Sequence, residues 1–168
     1  MTDPSAAPSL RLAVHQPDRP HNFGMVLRLA ACLGAAVDVV EPAGFPLDDR
    51  RIRQGALDYL PHLAWARHAD FAAFEAWRRA EGRRLVLLTT RGPEPYHRLT
   101  FRPNDVLMLG SEGAGVPETV HAAADRAVRV PLRSGLRSLN IVTAAALVLG
   151  EALRQTGGLD RLAATGER

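Results

Sequence analysis

Apolar residues along the chain recur with two spacings that alternate from one segment to the next. Short continuous apolar runs predict strands buried in a sheet, and longer stretches with apolar residues every three or four positions predict helices. The predicted strands are 10–15, 36–40, 62–66, 84–89, 105–109 and 126–130. The predicted helices are 22–33, 48–57, 70–80, a short one after Pro117, and 139–155. This alternation predicts an α/β fold with a mostly parallel sheet flanked by helices.

Residues that favour helix ends mark the boundaries of several predicted helices. Asn22, Asp48 and Asp70 each precede a helical pattern and are expected to cap it, because their side chains accept hydrogen bonds from free amides. Gly34 is expected to end the first helix. Ser138 is the expected N-cap of the last helix.

The length of 168 residues and a hydrophobic content of 46% predict one folded domain, spanning 10–156. Residues 1–9 are expected to form a disordered lead without the features of a signal peptide, and residues 157–168 a flexible tail. The longest apolar run, 141–149, is shorter than the roughly 20 residues of a membrane span. We therefore expect a cytoplasmic protein that does not cross a membrane.

The basic residues are all arginine, since the sequence contains no lysine. This excludes Schiff-base lysine chemistry and a P-loop lysine. The net charge of +3 permits RNA binding without requiring it. Cys32, the single cysteine, is expected in the core, and the six histidines show no metal-ligand spacing, so no metal is expected.

The first of three candidate clusters opens the first helix, with the sequence NFGMVLR over 22–28. Taken alone, it is typical of a helix cap followed by one solvated arginine. Arg28 falls off the apolar stripe formed by Val26, Leu29 and Leu33, so its side chain should project away from the core.

The second cluster is a glycine loop that directly follows the buried strand 105–109. Gly110, Gly113 and Gly115 allow a ligand to approach the backbone closely at the carboxyl end of a strand, where open α/β sheets bind ligands. The spacing G-x-x-G-x-G differs from the dinucleotide fingerprint, and Ser111 does not stand in a G-x-S-x-G elbow. A nucleotide-like ligand fits this loop better than NAD or hydrolase chemistry.

The third cluster, 130–140, is a polar loop that leads into an apolar helix. The helix is apolar over more than one face, which indicates burial against a second element or a second subunit. A homodimer interface is therefore expected there.

Together and in order, the three clusters resemble the motifs of the SPOUT superfamily of RNA methyltransferases. The pattern N-x-G-x-x-x-R occurs at 22–28, G-x-E-x-x-G-x-P at 110–117, and a proline loop ending in S-L-N at 131–140. Segments 15–17, 41–45, 58–59 and 87–92 look like the branch that methylates the wobble ribose of tRNA. The resemblance covers about residues 10–156.

This resemblance implies a C-terminal deep trefoil knot in which S-adenosylmethionine binds in a bent conformation. The family's cofactor contacts, transferred by position, fall on Leu88, Thr89, Gly110, Glu112, Val130, Ser138 and Leu139. Backbone amides and carbonyls of three loops would recognise the adenine.

The resemblance also implies that Arg28, with Asn22, forms the catalytic part of the site and that Arg28, Arg137 and Asn140 contact the RNA. A guanidinium with a pKa above about 12 is not a proton acceptor. Arg28 is therefore expected to hold the adjacent phosphate and orient it or the ribose hydroxyl for deprotonation. The implied substrate is the 2'-hydroxyl of cytidine or uridine 34 in the tRNA anticodon stem-loop, with leucine tRNAs as the expected species.

Two alternatives remain open at this point. A relative with the same fold could methylate another tRNA position or ribosomal RNA, although such relatives often carry an extra RNA-binding domain. A non-catalytic knotted RNA-binding module is the other alternative, and the presence of Arg28 with the glycine loop argues against it. Two departures from the family pattern, Phe23 and Thr143, predict altered nucleotide contacts and a substituted polar contact, respectively.

Overall fold

A computed structural model describes residues 9–48 and 50–166 of the chain. The predicted disordered lead lies, except for Ser9, outside the described residues. The strands are β1 Arg11–His15, β2 Ala36–Val40, β3 Trp65–His68, β4 Arg84–Leu88, β5 Glu94–Pro95, β6 Asp105–Leu109 and β7 Arg126–Arg129. The α-helices are α1 Pro20–Leu33, α2 Arg50–Ala56, α3 Phe71–Ala80, α4 Glu118–Ala123, α5 Ile141–Gln155 and α6 Gly158–Gly166. Short 3₁₀ helices occur at Leu57–His62 and Tyr96–Arg98.

The strands form one seven-stranded sheet in the order β3-β2-β1-β6-β4-β7-β5, and every pairing within it is parallel. Alternate residues of the central strands face opposite sides of the sheet. Leu107 and Leu109 of β6 join the cluster beneath α1 and α5, whereas Val106 and Met108 join the cluster beneath α3. Burial on both faces explains the continuous apolar runs that predicted these strands.

Buried ion pairs close the amino-terminal edge of the sheet. Arg11, at the start of β1, donates to both carboxylate oxygens of Asp38 at 2.6 and 3.1 Å. Arg84, at the start of β4, pairs in the same bidentate way with Asp105 at 2.8 and 2.7 Å. Both carboxylates are fully buried, and two-pronged arginine pairing compensates for their lost hydration.

Helix caps confirm some of the sequence expectations and correct others. Asp70 caps α3 by accepting from the Ala73 amide at 2.8 Å, and Gly34 ends α1 in the left-handed conformation at φ 68°. Asn22 does not cap α1, because the helix begins earlier, at Pro20, a residue well suited to the first helical position. Asn140, rather than Ser138, is the N-cap of α5.

The third strand differs from its predicted position. It is Trp65–His68 instead of 62–66, because the preceding 3₁₀ helix Leu57–His62 takes up its predicted start. Helix α2 is described from Arg50, and residue 49, which follows the predicted cap Asp48, lies outside the described residues. Strand β5, of two residues, was too short to leave a periodic signal.

Two expectations about the periphery were wrong. Cys32 is exposed, because it lies on the outer face of α1. Helix α6 occupies most of the stretch 157–168 that was expected to be a flexible tail, and its first residue, Gly158, is buried against the side chain of Leu153 in α5. An apolar contact at the end of α5 thus continues the fold beyond residue 156.

No helix among residues 9–48 and 50–166 combines the length and apolar character that a membrane crossing requires. Within the same residues, no three His, Cys, Asp or Glu side chains gather into a group that could hold a metal ion.

Candidate active site

A cleft of about 850 Å³ opens at the carboxyl-terminal edge of the sheet. Three loops surround it: the loops that follow β4 and β6, and the long loop between β7 and α5. This edge is where open α/β sheets bind ligands, and the volume is in the range of small-molecule and cofactor sites.

The three loops bring together residues that are far apart in the sequence. All the residues that the sequence analysis assigned to cofactor binding line this one cleft: Leu88, Thr89, Gly110, Glu112, Val130, Ser138 and Leu139. Arg137 and Asn140, assigned to the RNA, line the same cleft. The structure therefore gathers all nine of these residues at one site.

The glycine loop between β6 and α4 is tightly folded at its base. The amide of Ser111 donates to the Gly115 carbonyl at 3.0 Å, and the amide of Gly115 donates back to the Ser111 carbonyl at 2.9 Å. A Cβ on Gly110 would lie 2.6 Å from the Gly115 carbonyl carbon, so only glycine fits at this position. The backbone at Gly110 consequently lines the cleft without a side chain covering it.

Glu112, at the tip of this loop, connects it to α1. Its carboxylate accepts a hydrogen bond from the side-chain amide of Asn22 and forms an ion pair with Arg19 at 3.2 Å. Asn22 therefore lies beside the cleft, joined to the glycine loop, and does not contribute a helix cap.

A second set of bonds joins the same two segments through Asp18. Its carboxylate accepts from the backbone amides of Glu112 and Gly113, at 2.9 Å each. Sequence reasoning missed both Asp18 and Arg19, which lines the cleft. Both follow β1, which pairs with β6, and adjacent parallel strands deliver their following loops to one edge of the sheet. The sequence carries no local signal of that pairing.

Asn140 closes the third loop. Its side-chain oxygen accepts from the amides of Val142 and Thr143, at 2.8 and 3.4 Å, and so fixes the point where the loop enters α5. The side-chain amide nitrogen of Asn140 still has donors to offer the cleft. The lining from α5 includes Ile141 and Ala144 but not Thr143.

Arg28 is placed differently from the other predicted site residues. It is exposed on α1, as its position off the apolar stripe predicted, and it is absent from the cleft lining. Its guanidinium carbon lies 5.6 Å from the centroid of the Tyr59 ring. Phe23 is buried against Phe45 and does not line the cleft, and its effect on nucleotide contacts stays a prediction.

Comparisons with known proteins agree with this geometry. The model of the SpoU rRNA Methylase family matches residues 9–150. The chain is 56% identical over 151 residues to a tRNA (cytidine(34)-2'-O)-methyltransferase of Beijerinckia indica, covering 90% of this chain and 94% of that protein. It is 36% identical over 151 residues to the enzyme of that name from Escherichia coli, covering 88% and 94% of the two chains.

Two solved structures resemble the fold closely. One, from work on the 2-OH methylation of C/U34 on tRNA, superposes with a TM-score of 0.84 at 35% identity and covers 89% of this chain and 97% of that one. The other is the SpoU methyltransferase AviRb from Streptomyces viridochromogenes in complex with AdoMet, with a TM-score of 0.82 at 28% identity over 90% and 62% of the two chains. From the family match, the close relatives and the shared fold, this chain belongs to the SpoU rRNA methylase family.

Proposed function

We propose that this protein is an S-adenosylmethionine-dependent methyltransferase that modifies the ribose 2'-hydroxyl of nucleotide 34, cytidine or uridine, in tRNA. The observation that carries the proposal is the convergence of the three motif loops on one cleft. The similarity to tRNA (cytidine(34)-2'-O)-methyltransferases over nine tenths of the chain supports the choice of substrate.

The cleft fits the cofactor in size and in the character of its walls. The bare backbone at Gly110 offers close approach, and backbone groups at Leu88 and Val130 stand at the ends of the neighbouring strands. Ser138 and Leu139 complete the site from the loop before α5. When bound, S-adenosylmethionine supplies an electrophilic methyl group on a sulfonium. We infer that the chain between β7 and α5 belongs to a deep trefoil knot, as in the SPOUT superfamily.

The protein's own contribution to the reaction is to hold the RNA and the ribose hydroxyl. Arg28 binds the phosphate next to nucleotide 34 and orients it or the hydroxyl for deprotonation, because a guanidinium is a donor and not a base. Asn22 sets the position of the glycine loop through Glu112. Holding the reacting groups in line contributes up to about 7–11 kcal/mol to lowering the barrier. The chemistry needs no metal.

We further infer that the active unit is a homodimer. Leu136 and Leu139, which line the cleft, and Leu147 of α5 are 66%, 40% and 41% exposed, and grouped apolar side chains left open often mark a contact with another protein. Arg28 stands outside the cleft lining, so a second copy that covers this surface would supply the arginine to the site.

Two further residues of the cleft are suited to contact RNA. Arg137 and Asn140 lie at the cleft and would contact the anticodon stem-loop, whose unstacked bases are accessible to side chains. Leucine tRNAs are the proposed substrates, and the cytoplasm, where tRNA is modified, is the proposed location.

Nucleoside mass spectrometry of tRNA from a strain that lacks the gene tests the proposal. Loss of 2'-O-methylation at nucleotide 34 of leucine tRNAs, restored by the parent gene and not by Arg28→Ala, is expected. Retained methylation at that nucleotide would refute the tRNA assignment. Incubation of purified protein with labelled cofactor and either tRNA or ribosomal RNA then separates the wobble activity from ribosomal RNA methylation.

A further inference from the structure

The loop between β1 and α1 is held by backbone hydrogen bonds to the end of β2 and to the segment that follows β2. The Gln16 amide donates to the Val40 carbonyl at 2.8 Å, and the Gly44 amide donates to the Pro17 carbonyl at 2.8 Å. Pro17 is buried, whereas Asp18 next to it is exposed. The backbone that carries Asp18 is therefore anchored to the sheet.

Among the described residues, in contrast, the hydrogen bonds of the amides at the tip of the glycine loop all go to side chains. The paired Ser111 and Gly115 bonds close its base, but the amides of Glu112 and Gly113 point outward to the carboxylate of Asp18. A carboxylate that accepts two amide hydrogen bonds makes a charge-assisted contact, stronger than a neutral one. The absence of a side chain at Gly113 leaves room for this contact, because a Cβ there would lie 3.0 Å from the Asp18 Oδ2 atom.

We propose that Asp18 is a positioning residue that fixes the glycine loop to the segment leading into α1, and we name this contact the Asp18 latch. The inference rests on the proposed function, since it assigns to the latch the task of holding Gly110 in the geometry that the cofactor needs. The Glu112 carboxylate strengthens the latch from the other side by pairing with Arg19 and Asn22. The latch thus connects the cofactor loop directly to the helix that carries Arg28.

Asp18→Asn is the sharpest test, because it keeps the shape of the side chain and exchanges one acceptor oxygen for a donor. In the cofactor-free protein, amide hydrogen exchange followed by NMR should become faster at Glu112 and Gly113. The amides of Ser111 and Gly115, which bond to each other's carbonyls, are internal controls and should keep their rates.

Calorimetric titration with S-adenosylmethionine provides the functional readout. We expect the Kd of Asp18→Asn to rise roughly tenfold, the effect of losing one hydrogen bond to a charged group. The KM for the cofactor should rise with it, while kcat at saturating cofactor stays within about threefold, because the reacting groups are unchanged. Asp70→Asn is the matched control, because Asp70 accepts one amide hydrogen bond at the start of α3, far along the chain from the glycine loop. Asparagine also caps helices, so this variant should fold. Its Kd for the cofactor should equal that of the parent.

Gly113→Ala is a second variant, which tests the Asp18 latch if Asp18→Asn does not fold. It leaves every acceptor intact and places a Cβ 3.0 Å from the Asp18 Oδ2 atom, so the carboxylate must shift and its amide bonds weaken, and the Kd should also rise. If the parent protein binds the cofactor and both folded variants bind it with Kd values within about twofold of the parent value, the Asp18 latch is refuted and the proposed function is not. A parent that gives no heat overturns the proposed function, and the latch with it.

Discussion

The guanidinium of Arg28 lies over the ring of Tyr59, with 5.6 Å between the guanidinium carbon and the ring centroid. Arg28 belongs to α1 and Tyr59 to the 3₁₀ helix that follows α2, so two separate segments determine where this arginine points. Leu57, at the start of that 3₁₀ helix, adopts a positive φ of 52°, which turns the chain two residues before Tyr59. The exposed arginine is therefore held at a defined place on the surface.

Replacing Tyr59 should weaken catalysis by releasing Arg28. We expect Tyr59→Leu to lower kcat about two- to fivefold, since an exposed cation–π contact contributes about 0.5–1 kcal/mol. Tyr59→Phe keeps the ring face and should retain the parent kcat. Single-turnover methylation of a tRNA substrate measures the rate of both variants. Arg28→Ala sets the lower limit of that rate, because it should abolish methyl transfer while leaving the Kd for the cofactor unchanged. Equal rates for the leucine and phenylalanine variants would show that the ring does not position Arg28.

Gly110 should tolerate no side chain. Gly110→Ala places a Cβ 2.6 Å from the Gly115 carbonyl carbon, so the loop must open at its base and the cofactor Kd should rise by at least about tenfold. Gly150→Ala is the matched control, because Gly150 stands inside α5 and its added Cβ meets no atom within 4 Å outside the adjoining backbone of the helix. The control should bind the cofactor normally and be more stable by about 0.5–1 kcal/mol, as alanine favours a helix over glycine. Calorimetry and urea unfolding of both proteins provide the two measurements.

Much of the fold follows from the sequence because its central strands are buried on both faces. The runs 36–40 and 105–109 were predicted with the observed bounds, and Asp70 and Gly34 were identified as helix ends from their own chemistry. Where two residues could serve as a helix end, local preference was insufficient. Helix α1 begins at Pro20, so Asn22 lies inside its first turn and its side-chain amide donates to Glu112 instead of capping the helix. Asn140, and not Ser138, caps α5.

The candidate site was likewise predicted where a sequence motif marks it, and missed where it depends on which strands pair. The three loops were predicted to form one site, and they do converge, because β4, β6 and β7 are close neighbours in a parallel sheet. The contribution of Asp18 was not predictable from spacing. It depends on β1 lying next to β6, a pairing between strands some ninety residues apart that no local pattern records.

Gly24 should be essential for the packing of α1 on α2. A Cβ on Gly24 would press into the backbone of Ile52, and a Cβ on Gly55 would lie 2.7 Å from the His21 carbonyl oxygen. The two helices therefore touch backbone to backbone, and Gly24→Ala should lower the free energy of unfolding by about 1–3 kcal/mol. Urea denaturation measures the loss, with Gly150→Ala again as the control. An unchanged midpoint would show that the two helices can separate at no cost.

His15 should make stability depend on pH below neutrality. It lies at the carboxyl end of β1, is 2% exposed, and packs edge-on against Phe71. Burial lowers the pKa of His15 below its usual value of 6.5, and a hydrogen bond within its own residue offsets this only in part. The unfolded chain therefore binds more protons than the folded one between the two pKa values, so the free energy of unfolding rises with pH in that window. The contribution is complete above pH 6.5 and is lost as the pH falls toward the folded-state pKa.

Urea unfolding of the parent and of His15→Gln between pH 5 and pH 8 isolates this contribution, because the other titrating groups are common to both proteins. The difference in unfolding free energy, parent minus variant, should be constant above about pH 7 and should decrease as the pH falls below 6.5. His121→Gln is the control, since that histidine lies at the rim of the cleft on α4 and shares no contact with His15. A parent-minus-variant difference for His15 that stays flat, or grows, toward pH 5 would show that the imidazole is not held neutral by its burial.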